Sequence, residues 1–122
     1  MPVTYLSEHL SLAALEILAH AEDVAMLDAY VALKVTLPDT ELSEPSELPK
    51  DWQDNPPPKS TREIGRRWFD EGKTLLLIVP SALIPSEHNY LVNPNHADFT
   101  KIEVAEPIEF AFDARVLKAV SE

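Results

Sequence analysis

The sequence predicts a small α+β domain. Two stretches carry helical spacing, several others alternate as strands, and one of these, Thr74 to Val79, is apolar on both faces. The 122 residues suit one domain spanning 1–122. Hydrophobic residues make up 45%, enough for one core.

Val3 to Ser7 reads as a short strand, with Val3 and Tyr5 on one face and Thr4 and Leu6 on the other. Ser11 to Ala21 reads as a helix, because Leu12, Leu15, Leu18 and Ala19 follow helical spacing. Tyr30 to Leu37 is rich in β-branched residues and is expected as one strand, ended by Pro38.

Asp39 to Lys59 is rich in proline and acidic residues, and reads as a long loop. Leu48 and Trp52 are expected to anchor its second half, with Thr40 to Glu47 left solvated. Ser60 and Glu63 form a capping box that opens a second helix, with Ile64 and Trp68 inward and Gly72 ending it. Thr74 to Val79 is expected as a central strand, being apolar on both sides. Asn89–Val92, Lys101–Val104 and Glu109–Phe112 are the remaining strand candidates, the last with Phe110 and Phe112 inward.

Composition narrows the chemistry. The chain has no cysteine, so disulfides, thiolate zinc sites and cysteine nucleophiles are excluded. No apolar run reaches the ~18 residues that span a bilayer, and the first residues lack a signal-peptide pattern. A cytoplasmic location without membrane attachment is expected. Net charge is −11, which disfavours direct nucleic-acid binding. The acidity suits a basic protein partner, or simply a soluble surface.

Three sets of polar residues are candidates for chemistry. Glu16 lies between Leu15 and Ile17 on a helix that is apolar nearly all round, where a carboxylate needs water, a partner or a ligand. Helical spacing also groups it with His9, Ala13 and His20, which an ordinary polar stripe would do as well. Ser81 leaves the most apolar strand through Val79-Pro80-Ser81, a position where sites gather and where turn serines are routine. Third is the cluster from Ser86 to Tyr90, followed by Asn93 to His96. No H-E-x-x-H pattern or close histidine pair is present, so no metal is expected. A triad of Ser81, His88 and Glu87 is disfavoured: no G-x-S-x-G elbow exists, and adjacent strand residues face opposite ways.

Taken in order, several segments resemble the RES domain. They are Tyr5-Leu6-Ser7, Ser11 to Glu16, Leu48-Pro49 with Trp52, Ile64-Gly65 with Trp68, and Val79-Pro80-Ser81. Asn89 to Pro94 follow with His96 and Phe99, then Phe112-Asp113 with Arg115. The likeness runs from about Val3 to Leu117. It implies an ADP-ribosyltransferase-like mixed sheet with flanking helices. It also implies a toxin of a bacterial toxin–antitoxin pair that consumes NAD, cleaving the nicotinamide–ribose bond for NAD degradation or ADP-ribosyl transfer. The implied partner is an Xre-like antitoxin protein that covers the site; a homo-oligomer is a further expectation.

The resemblance assigns Glu16 and Ser81 as catalytic, and Tyr5 and Asn89 as substrate-binding. Glu16 would stabilise positive charge on the ribose, Ser81 would hydrogen-bond ribose or the nicotinamide amide, and Tyr5 would stack on or hydrogen-bond the nicotinamide. NAD enters as substrate, and no metal is implied. One feature departs from the family pattern. The family arginine belongs to a glycine-rich G-R-W segment upstream of the Tyr5 strand, whereas Arg62, Arg66, Arg67 and Arg115 all lie downstream of it. The expectation is therefore an N-terminally shortened domain, either an active enzyme once the upstream segment is present or an inactive remnant that binds protein.

Overall fold

The computed structural model describes residues 1–21, 27 and 30–121. The elements run β1 (Thr4–Ser7), α1 (Leu10–His20), β2 (Tyr30–Ala32), β3 (Val35–Thr36), β4 (Leu42–Ser43) and α2 (Lys59–Glu71). They continue with β5 (Leu76–Pro80), β6 (His88–Val92), a 3-10 helix (Ala97–Lys101), β7 (Glu103–Val104), β8 (Ile108–Phe110) and α3 (Ala114–Ser121). This is an α+β architecture around a mixed sheet. Its strand order is β1-β6-β5-β4, antiparallel except for the parallel pair β4 and β5. Two short antiparallel ribbons, β2 with β8 and β3 with β7, complete the strands among the described residues.

Strand β5 is central because its sequence can be buried on both faces. Leu77 packs with Leu91 and Trp68, and Val3, Phe69 and Val79 join them. Leu75 and Leu76 pack with Val92 on a second cluster, flanked by Leu6, Leu37 and Ile102. Leu75, Leu76 and Leu77 are all nearly inaccessible, as a two-sided apolar strand requires. Thr74, just before β5, ties three elements together. Its hydroxyl accepts from the Trp68 indole at 3.0 Å and donates to the Leu76 carbonyl at 3.0 Å. With its one proton so used, the 2.6 Å contact to Ser43 has Ser43 as donor.

Helix α2 ends as expected at Gly72, whose φ of 62° is the left-handed value glycine tolerates best. Its start corrects the capping box. The N-cap is Pro58, whose carbonyl receives the amides of Thr61 and Arg62. Ser60 is already inside the helix and donates instead to Asp51 at 3.0 Å, fastening the preceding loop to the helix.

Four other expectations are revised. Tyr30–Leu37 forms two strands with different partners, since β2 pairs with β8 and β3 with β7. Between them the Lys34 carbonyl accepts from the Ala105 amide, so the chain changes partner there. The stretch Thr40–Glu47 stays largely solvated, with Glu41, Leu42, Glu44, Ser46 and Glu47 exposed, but it is tied down: Leu42–Ser43 adds to the sheet as β4 and Thr40 donates to Asp98 at 3.0 Å. Leu48 and Trp52 are half-buried, as expected of anchors. Residues 101–104 are split, the 3-10 helix taking Lys101 and β7 holding Glu103 and Val104. The last strand, β8, ends at Phe110; Phe110 and Phe112 are both half-buried and meet edge to face at 5.0 Å. No helix among the described residues is long and apolar enough to cross a membrane.

Candidate active site

Helix α1 carries Glu16 on its inner face. Leu12, one turn earlier, is 2% exposed, so the residue four positions on points the same way. Within the stripe of His9, Ala13, Glu16 and His20, the middle pair is half-buried and both histidines are exposed. His20 touches the Glu16 backbone carbonyl through Nδ1 at 2.7 Å and makes no bond to the carboxylate.

The Glu16 carboxylate meets two donors from the sheet. Ser81 Oγ donates to Glu16 Oε1 at 2.8 Å, and Asn89 Nδ2 donates to the same oxygen at 3.0 Å. No other hydrogen bond reaches this carboxylate among the described residues, so Oε2 is unengaged. Asn89 is itself held, its Oδ1 accepting from Ser7 Oγ at 2.7 Å. The four side chains come from α1, β1, β6 and the turn after β5. Alternation explains the convergence: Ser7 and Asn89 are register partners across β1 and β6.

Ser81 serves the turn and the site together. Its hydroxyl accepts from the amides of Leu83 at 3.1 Å and Ile84 at 3.2 Å, the local bonding expected of a turn serine. Its own amide donates to the Glu87 carbonyl at 2.9 Å and closes the loop into β6. With one proton on Glu16 and both lone pairs taken, the hydroxyl has no free capacity, and the residue is 0% exposed. Ser81 thus lies behind the Glu16 carboxylate.

Tyr5, Ser7, Glu16 and Asn89 border one wide surface depression that extends over much of the chain, with Leu77 and Leu91 of the sheet also on its border. Tyr5 is 66% exposed, two residues before Ser7 on the same face of β1. Arg62 and Arg66 of α2 border the same depression and form no ion pair among the described residues. Ser7 is the member that sequence reasoning gave no role. Its period-two spacing from Tyr5 was visible, but its partner depended on the register.

The hydrolase triad does not form. Ser81 donates to Glu16, and His88 Nδ1 lies 3.6 Å from Glu8. Glu8, His9 and Glu87 bring possible ligand atoms within 4.8 Å of one another. Glu8 Oε1 also accepts the His88 amide at 2.8 Å.

A carboxylate held by two donors is a negative group fixed in one orientation. Comparison with known proteins gives the family. Residues 1–113 match the RES domain, and the chain belongs to this family. It is 37% identical over 115 residues to Toxin Res of Yersinia enterocolitica, covering 92% of this chain and 76% of that protein. It is 36% identical to Toxin Res of Photorhabdus laumondii, covering 97% of this chain and 78% of that protein. The Prs ADP-ribosylating toxin of a Sphingobium species is 29% identical, covering 95% of this chain and 75% of that protein.

Proposed function

We propose that this chain is a RES toxin that cleaves NAD at the nicotinamide–ribose bond, with Glu16 as the catalytic carboxylate. The observation that carries the reading is the double donation from Ser81 and Asn89 to one oxygen of Glu16. In the reaction the C–N bond breaks with its electron pair leaving on nicotinamide, which departs neutral. Positive charge builds on the ribose, and a fixed carboxylate stabilises it, as in glycoside hydrolysis. The acceptor, whether water, phosphate or a protein side chain, adds at the same carbon and loses its proton. Ser81 and Asn89 keep Glu16 in one orientation, so little reorganisation is needed as charge develops.

Tyr5 supplies an exposed ring for the nicotinamide, and Arg62 and Arg66 supply positive charge for the pyrophosphate. The name of the Sphingobium relative supports ADP-ribosyl transfer as one outcome, and an ADP-ribosyltransferase-like fold suits the mixed sheet. A cytoplasmic site of action, an Xre-like antitoxin partner and a homo-oligomer belong to the same proposal. The test is nicotinamide release from NAD by the purified protein in its full genomic reading frame. Turnover that Glu16→Ala abolishes is the expected result; no turnover removes the proposal.

A non-enzymatic reading, a domain that only binds protein, has one observation in its favour. Val31 is 56% exposed and Ile108 59%, an unusual apolar exposure on the short β2–β8 ribbon. Partner binding without any turnover would select it.

A further inference from the structure

We infer that Ser7 is a positioning residue for the Glu16 carboxylate, acting through the side-chain amide of Asn89; this rests on reading Glu16 as the catalytic group. A carboxylate only accepts hydrogen bonds, so the end of Asn89 that faces Glu16 must be its NH₂. That fixes the other end, Oδ1, which then needs a donor. Ser7 Oγ supplies it at 2.7 Å. The Asn89 amide could rotate by half a turn at little steric cost, and its two ends are chemically opposite. In the reversed orientation Oδ1 would oppose the carboxylate. Ser7 is the group that makes that orientation unfavourable, because it rewards Oδ1 on its own side.

Geometry makes the relay specific. Ser7 and Asn89 are direct register partners, held by the β1–β6 ladder from Thr4↔Val92 to Ser7↔Asn89. The ladder is extended past Ser7 by the Glu8 amide to the His88 carbonyl, and the Glu8 side chain accepts the His88 amide in return. Ser7 is thus placed on a paired backbone and is not free to drift from Asn89. Ser7, Asn89 and Glu16 also border the depression described above.

The experiment compares Ser7→Ala, Ser7→Thr, Asn89→Ala and the Ser7→Ala/Asn89→Ala pair with the parent in its full reading frame. Ser7→Ala is expected to lower kcat for nicotinamide release by roughly 10- to 100-fold, as misplacement of a reacting group does, with KM within about twofold. Ser7→Thr, which keeps the hydroxyl, should restore most of kcat. In the Asn89→Ala background the Ser7 change should cost nothing further, since its route to Glu16 is already gone. Additive losses overturn the inference. A second measurement is independent of turnover: hydrogen exchange of the Asn89 side-chain amide by NMR. Ser7→Ala should speed that exchange about tenfold, the size of effect expected when one hydrogen bond of ~1.4 kcal/mol is lost. Unchanged exchange overturns the inference even if the parent cleaves no NAD, whereas faster exchange without turnover removes only the NAD reading. Should Ser7→Ala fail to fold, Ser7→Cys keeps the shape with a weak donor and gives the same comparison.

Discussion

The Ser81 hydroxyl donates to Glu16 at 2.8 Å while accepting the amides of Leu83 and Ile84. One oxygen therefore shapes the turn after β5 and fixes the carboxylate above it. A serine at this point serves the turn and the Glu16 carboxylate at once, and substitutions there should move both.

Ser81→Ala should lower stability by about 1–2 kcal/mol, because two amides lose an acceptor at a buried position. It should also lower nicotinamide release, by less than Glu16→Ala does. Urea unfolding and a turnover assay on the same preparation check the pair of effects. A loss of activity with unchanged stability would place Ser81 differently.

Glu16→Gln should reduce turnover by about 10²–10³-fold, the range for removing one group that stabilises transition-state charge. Its melting temperature should stay within a few degrees, since the amide carbonyl can still accept from Ser81 and Asn89. Circular dichroism melts and nicotinamide release measure this.

How much of this could be read from the sequence differs by scale. The central strand and the Gly72 stop were legible, because apolar run length and a single glycine are local signals. Glu16 was conspicuous as a charge inside an apolar helix. The partnership of Ser7 with Asn89 was not legible, since it depends on a register set between strands far apart in the chain. Strand β4 was hidden for a related reason. Leu42–Ser43 has no periodicity of its own and is ordered by the edge of β5. The Ser60 capping box failed because Pro58 already supplied a helical start two residues earlier.

The two glycines should respond oppositely to alanine. A methyl at Gly65 would meet Met1 Cε at 3.6 Å and Leu91 Cδ2 at 3.7 Å, which is ordinary contact. Gly65→Ala should therefore stabilise by roughly 0.5–1 kcal/mol through helix propensity. Gly72→Ala forces φ +62° on a residue with a Cβ and should cost about 1–2 kcal/mol. Chemical denaturation of both variants gives the sign directly.

Acid sensitivity should be traceable to Asp98. The Lys101 ammonium, then the Thr40 hydroxyl, hold its carboxyl below its ordinary value of 3.8. A lowered folded value means that its stabilisation is present above pH 3.8 and is lost as pH falls through the folded value. Between those points the parent should lose stability faster than Asp98→Asn, and above pH 3.8 the variant should be the weaker of the two. Melting temperatures from pH 2 to 7 test this. Asp98 is solvent-accessible, so salt should shrink the difference.

The convergence of Ser7, Glu16, Ser81 and Asn89 has a consequence for biosynthesis. Glu16 and Ser81 are 65 residues apart. At about 5–20 residues per second, a ribosome needs roughly 3–13 s to add the second after the first. Throughout that interval the nascent protein has its carboxylate and neither donor that orients it. The assembled cluster is therefore deferred until β6 has been made and β1 has paired with it, and a partly synthesised copy lacks it.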